Sequence, residues 1–116
     1  MCKNWTSLEQ SKKLIKLGLD EKTADMWYQY IGDSFKDGIT KPLYFPMAIR
    51  DNPSEKDISA WSLSALLNLV KGQYLIEKCS DNSFKVAYLD YVIYEYYLLD
   101  AVFELVCKLI KDNKLK

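Results

Sequence analysis

The sequence contains no histidine, and that absence removes more chemistry than any other. Ser-His-Asp and Cys-His arrangements need an imidazole as base, and most catalytic zinc sites need one as ligand. Cysteine is sparse as well. Cys2, Cys79 and Cys107 are odd in number and far apart, which fits neither a disulfide framework nor a cysteine-only zinc site. They read as two small buried apolar residues and one terminal thiol, and no metal or other cofactor is expected. Glycine (4) and proline (3) are scarce, at about half their usual share, so most of the 116 residues should be regular structure. Gly32, Gly38 and Gly72 form no phosphate-loop or dinucleotide pattern.

Long apolar runs are missing too. The longest stretch without a charge is Ile58 to Val70, thirteen residues, whereas a bilayer span needs about 20. Met1-Cys2-Lys3-Asn4-Trp5 is not followed by an apolar secretory segment, so a cytoplasmic location is expected. Neither sign of charge dominates. Lysine plus arginine and aspartate plus glutamate are 16 each. Residues 1–40 hold six basic and six acidic groups, residues 41–80 five and four, and residues 81–116 five and six. Without a basic stripe to neutralise phosphates, neither nucleic acid nor an anionic membrane surface is an expected partner.

What is present is a globular composition: 49% apolar, 14% aromatic and 28% charged residues. The length fits a single domain spanning 1–116. On folding it should shrink from about 19,600 Å² of accessible surface to about 6,500 Å², enough burial for one core without staples.

Along the chain, Thr6-Ser7-Leu8-Glu9 fits the S/T-x-x-E capping box. Leu8, Leu14, Ile15 and Leu17, with Ser11 in the same row, predict a helix from about Ser7 to Leu17, closed by Gly18. Asp20 to Met26 reads as a short helical turn capped by Asp20. Trp27 to Ile31 reads as a strand, and Gly32 to Gly38 as a glycine-bracketed loop. Two prolines in Lys41 to Pro46 exclude a central strand and leave an edge strand or an extended loop. Asp51-Asn52-Pro53-Ser54 reads as a turn. Ile58 to Val70 reads as a buried helix ending before Gly72. Gln73–Cys79 and Phe84–Leu89 flank Ser80-Asp81-Asn82-Ser83 as a hairpin. Tyr91 to Tyr94 favours strand, and from Leu98 a helical stripe of Leu99, Val102, Phe103, Val106, Leu109 and Ile110 predicts a terminal helix to about Lys111. The hairpin is apolar on both sides, so it wants cover from helices or from a second copy.

The most unusual feature is the run Tyr88, Tyr91, Tyr94, Tyr96 and Tyr97. It reads either as packing in a half-buried sheet and dimer seam, or as a stacking platform for an aromatic ligand. Trp61 and Arg50, the sole arginine, are the other candidates for contact with a partner or ligand, Arg50 as an anion clamp or as a local turn ion pair with Asp51. The candidate set is therefore Trp61, Tyr88, Tyr91, Tyr94, Tyr97 and Arg50, with no catalytic and no metal-binding member. Asp90, Glu95, Asp100 and Glu104, spaced 5, 5 and 4, do not all fall on one helix or strand face, and read as surface charge.

Three segments carry a resemblance: Ser7-Leu8-Glu9-Gln10-Ser11-Lys12-Lys13-Leu14 through Leu17-Gly18-Leu19, then Thr23-Ala24-Asp25-Met26, then Ala60-Trp61-Ser62-Leu63-Ser64-Ala65-Leu66-Leu67. In this order the chain resembles a family of short uncharacterised proteins from phages, prophages and mobile elements of gut anaerobes. The family's terminal helix motif is loosely matched by Asp100-Ala101-Val102-Phe103-Glu104-Leu105-Val106. The proline that precedes the family's tryptophan motif is absent, with Ile58-Ser59 in its place, and the terminal motif lacks its methionine. The resemblance implies an accessory role and transfers no activity. The expectation is an α+β fold, a small antiparallel sheet of three to four strands with about three helices. The expected function is a non-enzymatic one carried by protein contacts or self-association. A small, nucleotide-like ligand held on the tyrosine surface is the alternative.

Overall fold

A computed structural model of the chain describes residues 4–48 and 55–115. It is an α+β fold of three helices and antiparallel sheet, as the sequence predicts; the strands divide into two three-stranded sheets.

The first helix, α1 (Leu8–Lys16), is capped one residue later than the pattern suggests. Ser7 is the N-cap. Its hydroxyl accepts from the Gln10 N–H at 3.1 Å, and the Gln10 side chain accepts from the Ser7 N–H at 2.9 Å. Thr6 cannot serve, because it is buried and its hydroxyl and backbone are committed to Trp61 and Ser11. Leu17 and Gly18 (φ +96°) close the helix as expected, with Leu19 N–H donating to the Leu14 carbonyl at 3.1 Å. A single 3-10 turn, Glu21–Thr23, follows under an Asp20 cap.

Strand β1 (Met26–Lys36) runs through the region expected to be a loop. Gly32, at φ +124°, does not end it. The pairing skips from Tyr30 to Gly32, so Ile31 is the extra residue of a β-bulge. Only Asp37-Gly38 turns, both at positive φ (53° and 77°), the two-residue geometry that continues strand twist. Strand β2 (Ile39–Met47) returns antiparallel and is an edge strand, as its prolines require. The turn expected at 51–54 lies outside the described residues.

Strand β3 (Ile58–Ala60) occupies the first three residues of the expected helix, pairing with Met26–Tyr28 on the inner side of β1. The helix α2 (Leu63–Leu69) starts only after Ser62, whose hydroxyl accepts from the Ala65 N–H at 3.1 Å. The Asp25 carboxylate fixes that cap, taking the Ser62 N–H at 2.8 Å and its hydroxyl. An extended N-terminal segment meets the same turn, through Leu63 N–H to the Asn4 carbonyl and Thr6 N–H to the Trp61 carbonyl.

The second sheet follows as a meander of β4 (Leu75–Lys78), β5 (Phe84–Tyr88) and β6 (Tyr91–Glu95), in that order. The hairpin and third strand fall where the sequence places them. Helix α3 (Leu98–Lys111) closes the fold and buries Leu99, Val102, Val106 and Leu109. It covers one face of the second sheet, on Val86 and Ile93, and packs against α2, while Leu14, Trp61 and Leu66 complete the core.

Candidate interaction surface

Beyond Tyr30, β1 and β2 pair only with each other among the described residues, because β3 pairs with β1 no further than Tyr28. At the root, Asp57 accepts the Tyr30 N–H at 3.0 Å, and the Lys56 ammonium lies 4.6 Å from the Tyr30 ring centre. Outward of that the hairpin is a two-stranded arm. Paired residues share a face, so Ile39, Lys41, Leu43 and Phe45 stand with Lys36 on one face, and Phe35, Thr40 and Pro42 with Asp33 on the other. Phe35 is 75% exposed, Phe45 57%, Ile39 57% and Leu43 42%. Ile31, at the bulge, is also exposed.

This arm makes the molecule long. The radius of gyration is 15.7 Å, against about 13 Å for a compact chain of this length. The accessible surface is 7778 Å², against about 6,500 Å² for an average globule of this mass.

The second sheet supplies another uncovered surface. Its inner face meets α3, and its outer face carries the cross-strand row Leu75–Ala87–Val92, followed by Glu77–Lys85–Tyr94. Leu75 and Val92 are each 51% exposed, and Tyr94 is exposed beside them. An open groove of about 550 Å³, lined by Gly72, Tyr74, Leu75, Ala87, Tyr88 and Leu89, continues the row toward the β5–β6 turn.

The tyrosines singled out from the sequence do not converge on one cavity. Tyr88 borders that groove and donates its hydroxyl to the Lys71 carbonyl at 2.5 Å. Tyr91 turns toward the end of α3, donating to the Asp112 carboxylate, with the Lys114 ammonium 5.3 Å from its ring centre. That bond holds the phenol in its protonated form and pushes its pKa up to about 12. Tyr94 lies on the outer face of the sheet, and Tyr97 is the N-cap residue of α3 without a capping side-chain bond. Trp61 is a core residue: it is 0% exposed, and its indole N–H donates to the Thr23 hydroxyl at 2.9 Å. It is thus withdrawn from any surface contact. Arg50 lies outside the described residues.

The acidic residues are regrouped by the tertiary fold. Glu95, at the end of β6, shares a hydrogen bond with Glu104 of α3, and Asp100 adds its field; together they raise the Glu95 pKa above the ordinary carboxylate value. Asp90 sits apart, in the β5–β6 turn. The Asp100 carboxylate accepts from the Gln10 amide at 2.8 Å, tying α3 to α1. Among the described residues no cluster of three His, Cys, Asp or Glu could hold a metal ion. Cys79 is half-buried and Cys107 is buried, both as free thiols; desolvation raises the pKa of Cys107. No helix among the described residues is long and apolar enough to cross a membrane.

The arm escaped the sequence reading. The signal was present in Asp37-Gly38, the dipeptide that a two-residue hairpin favours, but Gly32 and the two prolines masked the flanking strands. No protein-family model, curated protein or solved structure matches the chain.

Proposed function

We propose that this protein is a non-enzymatic accessory protein of the phage or mobile-element type that works through protein–protein contacts. The observation that carries the reading is the arm, where Phe35, Ile39 and Leu43 are displayed on a ribbon that no other described element covers, with Phe45 exposed at its root. An exposed hairpin with this apolar content costs solubility, and contiguous uncovered apolar patches on soluble proteins mark contact surfaces. Pro42 and Pro46 refine the mode of contact. Four residues apart on the edge strand, they place their missing N–H groups on the same open side. Strand addition to that edge is thereby blocked, so the arm makes contact through its faces. The motif resemblance supports the accessory role.

The test is photo-crosslinking in cells. A benzoyl-phenylalanine at Phe35 or Phe45 is expected to give discrete protein adducts, while the same group at the exposed Lys12 on α1 gives none. Arm positions that crosslink no more than Lys12 would overturn the reading.

A further inference from the structure

We infer that two copies of this chain join edge to edge along β6, making one six-stranded sheet and setting the two α3 helices side by side. This contact is separate from the arm and leaves it free for the partner proposed above.

The edge itself supplies the first argument. The two-residue turn at Leu89-Asp90 makes Tyr88 and Tyr91 the closing hydrogen-bonded pair, and the alternation that follows turns the backbone of Ile93 and Glu95 toward β5. The N–H and C=O groups of Val92 and Tyr94 therefore point out of the sheet, where no described strand meets them. The other outer strands carry devices against pairing. β2 has Pro42 and Pro46, and β4 puts the charge of Lys78 on the same face as Ile76 and Val86. β6 has neither proline nor lysine.

Symmetry is the second argument, and it selects a copy of the same chain. The two outward residues flank Ile93, so a two-fold axis beside Ile93 lets Val92 of each copy exchange both of its bonds with Tyr94 of the other. On the outer face each Val92 then lies against a Tyr94 ring, a β-branched–aromatic pair of the kind that stabilises sheets. Val92 is 51% exposed and Tyr94 59%, so both have surface to lose.

The third argument is α3. It packs over β5 and β6, and a second β6 one strand spacing away places its own α3 about 10 Å from the first, the distance at which helices pack. The helix runs back along β6, joined to it by Glu104 at Glu95 and by Asp112 at Tyr91, so Lys108 is level with Ile93. Glu104, Lys108 and Lys111 form one stripe along this flank, half-buried at Glu104 and exposed at both lysines. The stripe is acidic first and basic after, and complements itself when reversed. An antiparallel copy sets Glu104 beside Lys111 twice, about 1.5 Å out of level, with the two Lys108 ammonium groups between the two Glu104 carboxylates. One strand edge and one helix flank make a small contact, which puts the dimer in the weak class.

The test is hydrogen exchange by NMR on the unmodified full chain, at low and at millimolar concentration. The Val92 and Tyr94 amides should exchange freely in the dilute sample and gain at least ten-fold protection in the concentrated one. The Ile93 amide, already bonded to β5, should be protected in both. Sedimentation with charge variants then reads the helix contact. Glu104→Lys and Lys111→Glu should each weaken dimerisation several-fold, and the two changes made together in one chain should restore it, because the crossed pairs are rebuilt with reversed sign. Tyr94→Pro removes an outward N–H and no bond to β5, so it should abolish the dimer while keeping the circular dichroism of the parent. A chain that stays monomeric at millimolar concentration overturns the inference. So does association that leaves the Val92 and Tyr94 amides unprotected, or a double charge variant no better than the single ones. None of these outcomes bears on the arm, whose crosslinking is read separately.

Discussion

Thr6 and Trp61 hold each other by two hydrogen bonds: the Thr6 N–H donates to the Trp61 carbonyl at 2.8 Å, and the Trp61 N–H donates to the Thr6 hydroxyl at 3.1 Å. The chain continues inward. The Ser11 hydroxyl donates to the Ser7 carbonyl at 2.7 Å, so the 2.8 Å contact between the Thr6 and Ser11 hydroxyls has Thr6 as donor. Trp61 N–H, Thr6, Ser11 and the Ser7 carbonyl thus form one directed series in which each hydroxyl donates once and accepts once. Thr6 and Ser11 are both 0% exposed, so water cannot replace a lost member.

Removing the Thr6 hydroxyl should therefore be costly even though the shape is kept. Thr6→Val leaves the buried Trp61 N–H and the Ser11 oxygen each short of a partner, and a stability loss of about 1–3 kcal/mol is expected. Thr6→Ser restores the series and should recover most of it. Urea denaturation of the two variants checks the difference.

Leu89, by contrast, is strained. It stands at φ 53° in the two-residue turn between β5 and β6, and its side chain is 67% exposed. A left-handed conformation costs an ordinary residue about 1–2 kcal/mol, and no packing offsets it here. Leu89→Gly should stabilise the protein by about 0.5–1 kcal/mol, after the extra chain entropy of glycine is counted. The melting temperature should rise by a few degrees in calorimetry.

At the tip of the arm, Gly38 has φ +77° with open space where a Cβ would go. Gly38→Ala therefore meets backbone strain and no clash, about 1–2 kcal/mol confined to the turn. The arm carries none of the buried core, so it can open locally. Amide protection along β1 beyond Tyr30 and along β2 should fall, while α3 amides keep theirs; hydrogen exchange by mass spectrometry separates the two.

The Glu95–Glu104 pair makes stability depend on pH. Its neighbours raise the folded-state pKa of Glu95, the hydrogen bond shared with Glu104 contributing most. A raised carboxyl favours the protonated folded state, so its stabilising effect is complete below the ordinary glutamate pKa and is lost as pH climbs through the folded value. Glu95→Gln keeps a hydrogen-bond donor toward Glu104 and removes the repulsion. It should be more stable than the parent at pH 7, with the gap closing near pH 4, as read from melting curves across that range.

How legible the fold was depends on how local its causes are. The end of α1 and the whole of α3 were readable because Gly18 and the Leu99–Val102–Val106 stripe carry their own instructions in adjacent residues. The meander was readable for the same reason, with a polar turn between two β-prone runs. The boundary near Ile58 was not. Ile58 to Ala60 has no strand signal stronger than the helical signal beside it, and becomes β3 because Met26 to Tyr28 offers a ladder. The cap moved from Thr6 to Ser7 because a partner 55 residues away claims the Thr6 hydroxyl.

The candidate site divides in the same way. Composition by itself determined that no histidine chemistry operates and that charge is balanced along the chain. Which apolar and aromatic residues stay outside the core was decided by the tertiary structure. Trp61 was drawn inside because its neighbours pair with the N-terminal segment and its indole finds Thr23. The tyrosines were sent to different sides because β-strands alternate their faces and the β5–β6 turn reverses the chain. Phe35, Ile39, Leu43 and Phe45 were left outside because β3 is three residues long and stops at Tyr28, so the longer hairpin runs past the end of its own sheet.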